Sequence, residues 1–128
     1  MKSTKEKIEE INQFFVDGNM ERFMDCLSDN VVWEMYTSSG NMVMNGKAEV
    51  EKMDGSDMPE HTSFEFSTVV VEDDVASVQG KSTGKRKDGT EYVGYFCDVY
   101  HFESDKVAKI VYYVIDNKNE SAGLTGLA

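Results

Sequence analysis

Near the start of the chain, apolar side chains recur with the period of an α-helix. The residues that form this stripe are Ile8, Ile11, Phe14 and Phe15. Ser3 and Glu6 have the spacing of a capping box, so the pattern predicts a helix over residues 3–17. After a turn at Gly18, a second apolar stripe follows with helical spacing: Met20, Phe23, Met24 and Leu27. We therefore expect two helices joined by a tight turn.

A change to β-branched and aromatic residues then marks the first strands. Residues 28–30 are expected to break the second helix, and residues 31–36 have the composition of a strand. Residues 42–44 could pair back on that strand. A short helical stretch is expected over residues 47–53, before a loop that holds the only proline, Pro59.

Long strands dominate the second half of the chain. The four strand-like runs are residues 62–72, 75–87, 90–103 and 107–116. Their connections are short and include the Asp88-Gly89 hairpin signal, so neighbouring strands should run antiparallel. Helices followed by an antiparallel meander predict an α+β fold in which the helices cover one face of the sheet. Residues 117–128 are polar, contain glycine, and are expected to form a loose tail.

Composition and charge exclude several classes of protein. The 128 residues, 40% of them hydrophobic, have the size and composition of a single globular domain over residues 1–128. No apolar run approaches the ~20 residues of a membrane span. The chain has 13 basic and 24 acidic residues, for a net charge of −11. Such a surface repels phosphate backbones and acidic lipids, so we expect neither nucleic acid nor a membrane as a partner.

The cysteines and the first residues indicate a cellular compartment. Cys26 and Cys97 are isolated and show neither metal-ligand spacing nor a disulfide framework. Residues 1–6 lack the apolar core of a signal peptide. We therefore expect a cytoplasmic protein with reduced thiols.

The late strands are apolar on both faces. Tyr92, Phe96, Tyr100 and Phe102 share one parity, whereas Tyr95, Cys97 and Val99 share the other. A sheet that is apolar on both faces needs two covers. The helices can supply one cover and a second subunit the other, so we predict a homodimer formed through the sheet.

Asp98 is the strongest candidate for chemistry. It shares its parity with Phe96, Tyr100 and Phe102, which are bulky and expected to point inward. A carboxylate in an apolar pocket resists ionisation, and this raises its pKa toward a range useful for proton transfer. The alternative is a structural carboxylate paired with a nearby lysine, tyrosine or backbone amide.

Asp116 is a second candidate carboxylate. It could form an acid–base pair with Asp98 if the two converge, and Tyr100, Tyr112 or Tyr113 could donate a hydrogen bond to a developing enolate. An aspartate at the end of a strand is also a common turn former. His61 and His101 show no metal-ligand spacing, so we expect no metal.

The sequence order resembles the SnoaL-like branch of the nuclear transport factor 2-like superfamily. The resemblance covers about residues 5–116 and rests on the runs LSDNVVWEM, NGKAEVEKM and GYFCDVYHFESDKVAKIVYYVID. Its most specific part is Asp98-Val-Tyr-His-Phe, followed by a turn and Lys106-Val107. The resemblance implies a strongly curved sheet that wraps round the helices and forms a deep, cone-shaped pocket.

The chain departs from the family pattern in two places. The turn before Lys106 lacks the usual glycine, and the run from Val107 to Asp116 is one residue longer than is typical. Because side chains alternate between faces, the extra residue would move Asp116 to the other face unless a bulge absorbs it.

Members of this family include steroid isomerases, polyketide cyclases, dehydratases, epoxide hydrolases and non-catalytic domains, so the fold leaves the function open. The resemblance implies a cofactor-free protein that catalyses isomerisation, cyclisation or dehydration of a small apolar carbonyl compound. Asp98, Asp116 and Tyr100 are the expected catalytic residues. The expected pocket residues are Phe15, Met24, Trp33, Tyr36, Phe96, Phe102 and Tyr113. The alternatives are a non-catalytic ligand-binding domain and a dimeric association domain.

Overall fold

Helices come first along the chain and long strands follow. The computed structural model describes residues 2–38, 40–52, 60–85 and 89–117; Pro59, Asp88 and residues 118–128 of the expected tail lie outside this part. The elements are α1 (Thr4–Asp17), α2 (Met20–Asp25), β1 (Leu27–Thr37), β2 (Gly40–Asn45), α3 (Lys47–Glu51), β3 (Glu60–Glu72), β4 (Val75–Lys85), β5 (Glu91–Glu103) and β6 (Lys106–Asp116). This order confirms the α+β class.

Helix α1 begins and ends where its capping residues predict, whereas α2 ends at Asp25 and leaves Leu27, the last residue of its predicted stripe, in β1. The Ser3 hydroxyl accepts the backbone N–H of Glu6, and the Glu6 carboxylate accepts the backbone N–H of Ser3. Gly18 ends α1 in the left-handed conformation, with φ of 69°. The Asn19 side chain then caps α2. With 14 residues, α1 is the longest described helix, and no helix in these ranges could cross a bilayer.

The six strands form one mixed sheet in the order β2-β1-β6-β5-β4-β3. Strands β3 to β6 pair antiparallel with their neighbours, which confirms the predicted meander. Strand β1 instead pairs parallel to β6, so the prediction of a wholly antiparallel sheet is corrected. Most of the chain lies between these two strands, and no short link sets their relative direction.

Strand β1 also starts earlier than predicted. Residues 28–30, which were expected to break a helix, belong to β1 and lie in a shift of register between Leu27 and Val32. An irregular stretch of this kind accommodates polar residues in a strand, because part of the ladder is interrupted.

Helix α1 packs against β3 and β4, and the core lies between the helices and one face of the sheet. On β5, the even-numbered residues from Gly94 to Phe102 are buried, whereas the odd-numbered residues are half-buried or exposed on the opposite face. We call these the inner face and the outer face. The predicted inward parity of Asp98 is therefore confirmed.

A bulge decides which face Asp116 occupies. The pairing of β5 with β6 shifts by one residue near the start of β6, where Ala108 is the extra residue. Beyond this bulge, Asp116 pairs with Gly94 and so lies on the inner face with Asp98. The bulge absorbs the additional residue of this run.

Candidate functional site

An apolar cavity of about 500 Å³ lies between the helices and the inner face of the sheet. Aromatic side chains form the largest group in its wall: Phe15, Phe23, Trp33, Phe64, Phe66, Phe96, Tyr100 and Tyr112. Three methionines, Val50 and Gly18 complete the apolar lining, and Asp98 and Glu51 are the acidic residues. A cavity of this volume, with few polar groups, has the size and character of a small-molecule site.

Asp98 lies on the sheet side of this cavity. It is 6% exposed, and β5 is flanked by a strand on each side. Tyr112 of β6 and Val78 of β4 are directly opposite it. Directly opposed residues share a face and have Cβ atoms about 5 Å apart. Tyr100 lies two residues further along β5 on the same face, so two tyrosines border the Asp98 carboxyl.

The Asp98 carboxyl has one hydrogen-bond partner among the described residues. The Tyr100 hydroxyl donates to Oδ2 at 3.4 Å, and Oδ1 has no partner in this part of the chain. No basic side chain is among the residues that line the cavity. Burial raises the pKa of Asp98 well above its ordinary value, and the hydrogen bond from Tyr100 offsets this only in part. The environment thus favours the neutral acid, which can donate a hydrogen bond.

The neighbouring tyrosines also remain protonated. Burial raises the pKa of Tyr100 well above its ordinary value, and the negative charge that Asp98 carries when it is ionised adds to the effect. The same two causes raise the pKa of Tyr112. Protonated hydroxyls beside a neutral acid form a group of donors that can stabilise negative charge developing on a ligand oxygen.

Unpaired polar atoms also point to this cavity. Among the described residues, the buried side-chain atoms without a partner are Asn12 Oδ1, Trp33 Nε1 and Asp98 Oδ1. Trp33 and Asp98 both line the cavity. An unpaired buried polar group costs about 1–3 kcal/mol, and such groups are rare in folded proteins. A ligand in the cavity could therefore provide hydrogen-bond partners for two of these three atoms, Trp33 Nε1 and Asp98 Oδ1.

Comparison with known families agrees with the fold. The profile of the SnoaL-like domain family matches residues 8–110, which is most of the chain. The chain belongs to the SnoaL-like domain family. A search of the curated proteins found no match.

Solved structures with nuclear transport factor 2-like folds superpose on this SnoaL-like domain. An NTF2-like protein of unknown function from Cytophaga hutchinsonii ATCC 33406 is 26% identical, with 88% of this chain and 100% of that chain covered and a TM-score of 0.73. A putative SnoaL-like polyketide cyclase from Jannaschia sp. CCS1 is 14% identical, with 84% of each chain covered and a TM-score of 0.71. A protein with a ketosteroid isomerase-like fold from Catenulispora acidiphila DSM 44928, in complex with trimethylamine, is 13% identical, with 95% of each chain covered and a TM-score of 0.75.

Asp98 and Asp116 do not converge in the SnoaL-like domain. Asp116 pairs with Gly94, which is four residues from Asp98 along β5. At about 3.4 Å per residue this separation is about 14 Å. Asp116 is not among the residues that line the cavity. The predicted acid–base pair of carboxyls is therefore not formed.

The structure places four predicted pocket residues in the cavity wall and three elsewhere. Those in the wall are Phe15, Met24, Trp33 and Phe96. Phe102 shares the inner face, but it lies near the other end of β5 under Lys7, whose ammonium is 5.5 Å from the ring centre. Parity specifies the face of a strand, and it does not specify which end of that face meets the cavity.

Tyr36 and Tyr113 lie on the outer face. Their rings stack with centres 5.5 Å apart, because the two residues are register partners on β1 and β6. Tyr36 is three positions from Trp33, and an odd separation along a regular strand puts two side chains on opposite faces. The expectation that Trp33 and Tyr36 share one pocket is thus corrected.

Several lining residues were missed in the sequence. Phe64 and Phe66 come from β3, and their spacing of two was a usable signal for one face of a strand. Val50 and Glu51 come from α3, which is too short to show a clear apolar period. Their position depends on how the short helix docks, which no local pattern reports.

A second cavity, of about 330 Å³, lies beside α1 and is more polar. Its charged side chains pair with one another: Lys7 Nζ is 3.2 Å from Asp105 Oδ1, and Lys2 pairs with Glu10. The Lys7–Asp105 contact joins α1 to the turn between β5 and β6.

Neither histidine is among the described residues that line the cavity. His101 lies on the outer face of β5, and the His61 side chain lies outside the described part of the chain. Within the described ranges, no group of three or more His, Cys, Asp and Glu side chains is arranged to hold a metal ion.

Proposed function

We propose that this SnoaL-like domain binds a small apolar carbonyl compound in the cavity and catalyses cofactor-free proton transfer on it. The observation that carries the proposal is the Asp98 carboxyl, which lines an aromatic cavity, has no basic partner there, and keeps one oxygen unpaired. Aromatic walls favour a flat apolar ligand. Isomerisation, cyclisation and dehydration all need such a proton transfer.

In this mechanism the neutral Asp98 acts first as an acid. It transfers its proton to the ligand carbonyl oxygen, and the Tyr112 hydroxyl on the facing strand donates a hydrogen bond that stabilises the electron density returning to this oxygen when the neighbouring carbon loses its proton. The resulting Asp98 carboxylate takes a proton from the carbon next to the carbonyl, which gives the enol and restores the acid. In a conjugated ligand, Asp98 then gives its proton to another carbon, and the carboxylate takes back the proton of the enol oxygen, which gives the isomer and restores the acid. Tyr100 orients the carboxyl through its hydrogen bond to Oδ2.

Binding without turnover is the second candidate function. The observation that favours it is the position of Asp116, which leaves the inner part of the cavity with a single carboxyl. Glu51, the other acidic lining residue, is exposed on α3. An association domain with a filled pocket is the least supported alternative, because the cavity has room for a ligand.

Hydrogen exchange on a panel of cyclic aryl ketones, with 1-tetralone as the first probe, tests the proposal. Proton NMR in deuterated buffer follows deuterium uptake at the carbon next to the carbonyl. We expect the wild type to accelerate uptake, Asp98→Asn to return it to the buffer rate, and the exposed control Asp29→Asn to leave it unchanged.

Trp33 gives an independent measure of occupancy. It is the only tryptophan of the chain and lines the cavity, so its fluorescence should change on binding. A ketone that changes this fluorescence without any accelerated uptake would favour binding without turnover. Failure of the whole panel on both measurements would contradict the proposed function.

We also propose that the outer face of the sheet pairs with a second copy of this chain. Tyr95, Tyr113 and Ile115 are 38%, 48% and 66% exposed on this face. Ile115 is directly opposite Tyr95, so the apolar side chains form a continuous strip. An exposed strip of this kind is typical of an interface, and a twofold dimer would cover it with its own copy.

A further inference from the structure

Trp33 occupies a fixed position in the wall of the cavity. It is 8% exposed on β1, where strands β2 and β6 pair on either side at Met44 and Ile110. Its ring meets the Phe23 ring edge-on, with 5.8 Å between centres and an angle of 73°. Backbone pairing on both sides and this contact hold the indole in one orientation.

The indole N–H is a donor without an acceptor. Nε1 is buried and has no hydrogen-bond partner among the described residues. Buried tryptophan normally pairs this group, and a phenylalanine would fill a purely apolar position without leaving a donor. Asn12 Oδ1, which is also unpaired, belongs to a residue outside the cavity lining. The geometry therefore leaves the Trp33 indole N–H available to an acceptor atom of a bound ligand.

Trp33 and Asp98 lie on opposite sides of β6. Their strands are two strand spacings apart, which is about 10 Å at the backbone. Trp33 also pairs with Ile110, whereas Asp98 pairs with Tyr112, two residues further along β6. At this backbone separation, one ligand atom could hydrogen-bond to both the Trp33 indole and the Asp98 carboxyl only if the two side chains pointed toward each other. A ligand with polar atoms at two ends of an apolar body can satisfy both.

The charge of the cavity limits the nature of the second polar atom. The lining carries the acidic residues Asp98 and Glu51 and no lysine, arginine or histidine. The chain as a whole has a net charge of −11. A carboxylate or phosphate would be repelled and left without a cationic partner, so the acceptor for the indole is a neutral oxygen.

We infer that Trp33 determines specificity: the ligand is a neutral aromatic or alicyclic compound with a carbonyl at the Asp98 end and a second oxygen that accepts from Trp33 Nε1. This inference rests on the proposed function, because it assigns the carbonyl to Asp98. Hydroxyketones and diketones on a rigid ring system belong to this class.

Two matched probes test the inference: 1-tetralone, with one oxygen, and 6-hydroxy-1-tetralone, with an oxygen at each end. The chain has one tryptophan, so a ¹H–¹⁵N spectrum of the labelled wild type contains one indole signal. We expect 6-hydroxy-1-tetralone to move this signal downfield much further than 1-tetralone does. We also expect it to bind roughly 2- to 12-fold more tightly, the range that one net hydrogen bond supports.

Two variants separate this inference from the proposed function. Trp33→Phe should bind both probes within about twofold of each other, because the ring remains and the donor is lost. Asp98→Asn should weaken both probes and keep their ratio. The inference is overturned if 6-hydroxy-1-tetralone binds without moving the indole signal, or if Trp33→Phe keeps the preference; either result leaves the role of Asp98 intact. If neither these probes nor the rest of the ketone panel bind the wild type, the proposed function fails and this inference fails with it.

Discussion

Asp98 and Asp116 lie on the same face of the sheet, and the register of β5 and β6 holds them four positions apart. The residue directly opposite Asp98 is Tyr112, so the groups that border the carboxyl are tyrosine hydroxyls. A second carboxylate nearby would compete for protons, whereas hydroxyl donors favour chemistry at a ligand oxygen. This relationship makes Asp98 the single carboxyl on which the proposed reaction depends.

The pH dependence of stability should report the neutral form of Asp98. Burial raises the pKa of Asp98 in the folded chain above its value in the unfolded chain. The stability linked to this proton is fully present below the unfolded pKa, near 4, and is lost as the pH rises through the folded pKa. Between these two pKa values, the free energy of unfolding of the wild type should fall by up to about 1.4 kcal/mol per pH unit relative to that of Asp98→Asn.

Urea denaturation of both proteins at a series of pH values measures this difference. The exposed control Asp29→Asn should follow the wild type at each pH. The compared quantity is the difference in the free energy of unfolding between the wild type and Asp98→Asn. If this difference stays constant above the pKa of the unfolded chain, the carboxyl is ionised in the folded chain.

Tyr112→Phe should reduce turnover more than binding. The change removes the hydroxyl proposed to stabilise charge on the ligand oxygen, and loss of one such donor typically lowers kcat by about 10²-fold. Ketone affinity, followed by Trp33 fluorescence, should change only a few-fold. Tyr113→Phe is the matched control, because Tyr113 is the next residue and lies on the outer face. Equal losses of turnover in the two variants would show that the effect comes from a change in β6 and not from the loss of a hydroxyl in the cavity.

Two glycines on the inner face should differ in how they tolerate alanine. A Cβ at Gly80 would lie 2.6 Å from Phe96 Cζ and closer still to the Glu65 carbonyl oxygen, which belongs to the backbone. Gly80→Ala should therefore lower the free energy of unfolding by about 1–3 kcal/mol. The atoms nearest to a Cβ at Gly94 would all belong to the Tyr92 side chain, with Cζ at 2.7 Å.

A double-mutant cycle by urea denaturation tests the second of these contacts. Gly94→Ala should be costly in the wild type and nearly neutral in a Tyr92→Ala background, because the obstructing ring is gone. Equal costs in both backgrounds would mean that the Tyr92 ring does not limit the space at Gly94.

The proposed dimer should depend on the outer-face strip. Ile115→Glu places a charge among apolar side chains that a second copy would bury, so sedimentation should show a monomer. Val16→Glu is the control, since Val16 is 55% exposed on α1, away from the sheet. A monomeric wild type, or an Ile115→Glu variant that remains dimeric, would contradict the proposed interface.

Local signals in the sequence predicted the elements and the face of Asp98. The capping residues Ser3 and Gly18 fix the two ends of α1 by hydrogen bonds within a few residues. The parity of β5 put Asp98 with Phe96 and Tyr100, because side-chain direction alternates strictly in an unbroken strand. These interactions involve neighbouring residues, and that is why the sequence alone could show them.

Features that depend on distant pairing could not be predicted in the same way. The parallel contact of β1 with β6 joins strands from the two ends of the chain. The bulge at Ala108 depends on the register with β5, and the position of Phe102 under Lys7 depends on how α1 docks. Each of these features is decided by packing between elements, and this is why the predicted pocket was wrong at Phe102. The error at Tyr36 is local, because an odd separation from Trp33 on one strand already places the two side chains on opposite faces.

Carbon-13 NMR of aspartate-labelled protein, recorded over a series of pH values, tests whether Asp98 is the neutral acid that meets the ligand. The Asp98 carboxyl signal is assigned by its absence from Asp98→Asn and followed with and without 1-tetralone. We expect the Asp98 carboxyl to stay protonated to a higher pH than the exposed aspartates, and its signal to shift when the ketone binds. An Asp98 signal that titrates with the exposed aspartates and is unchanged by bound ketone would contradict the proposed role of Asp98.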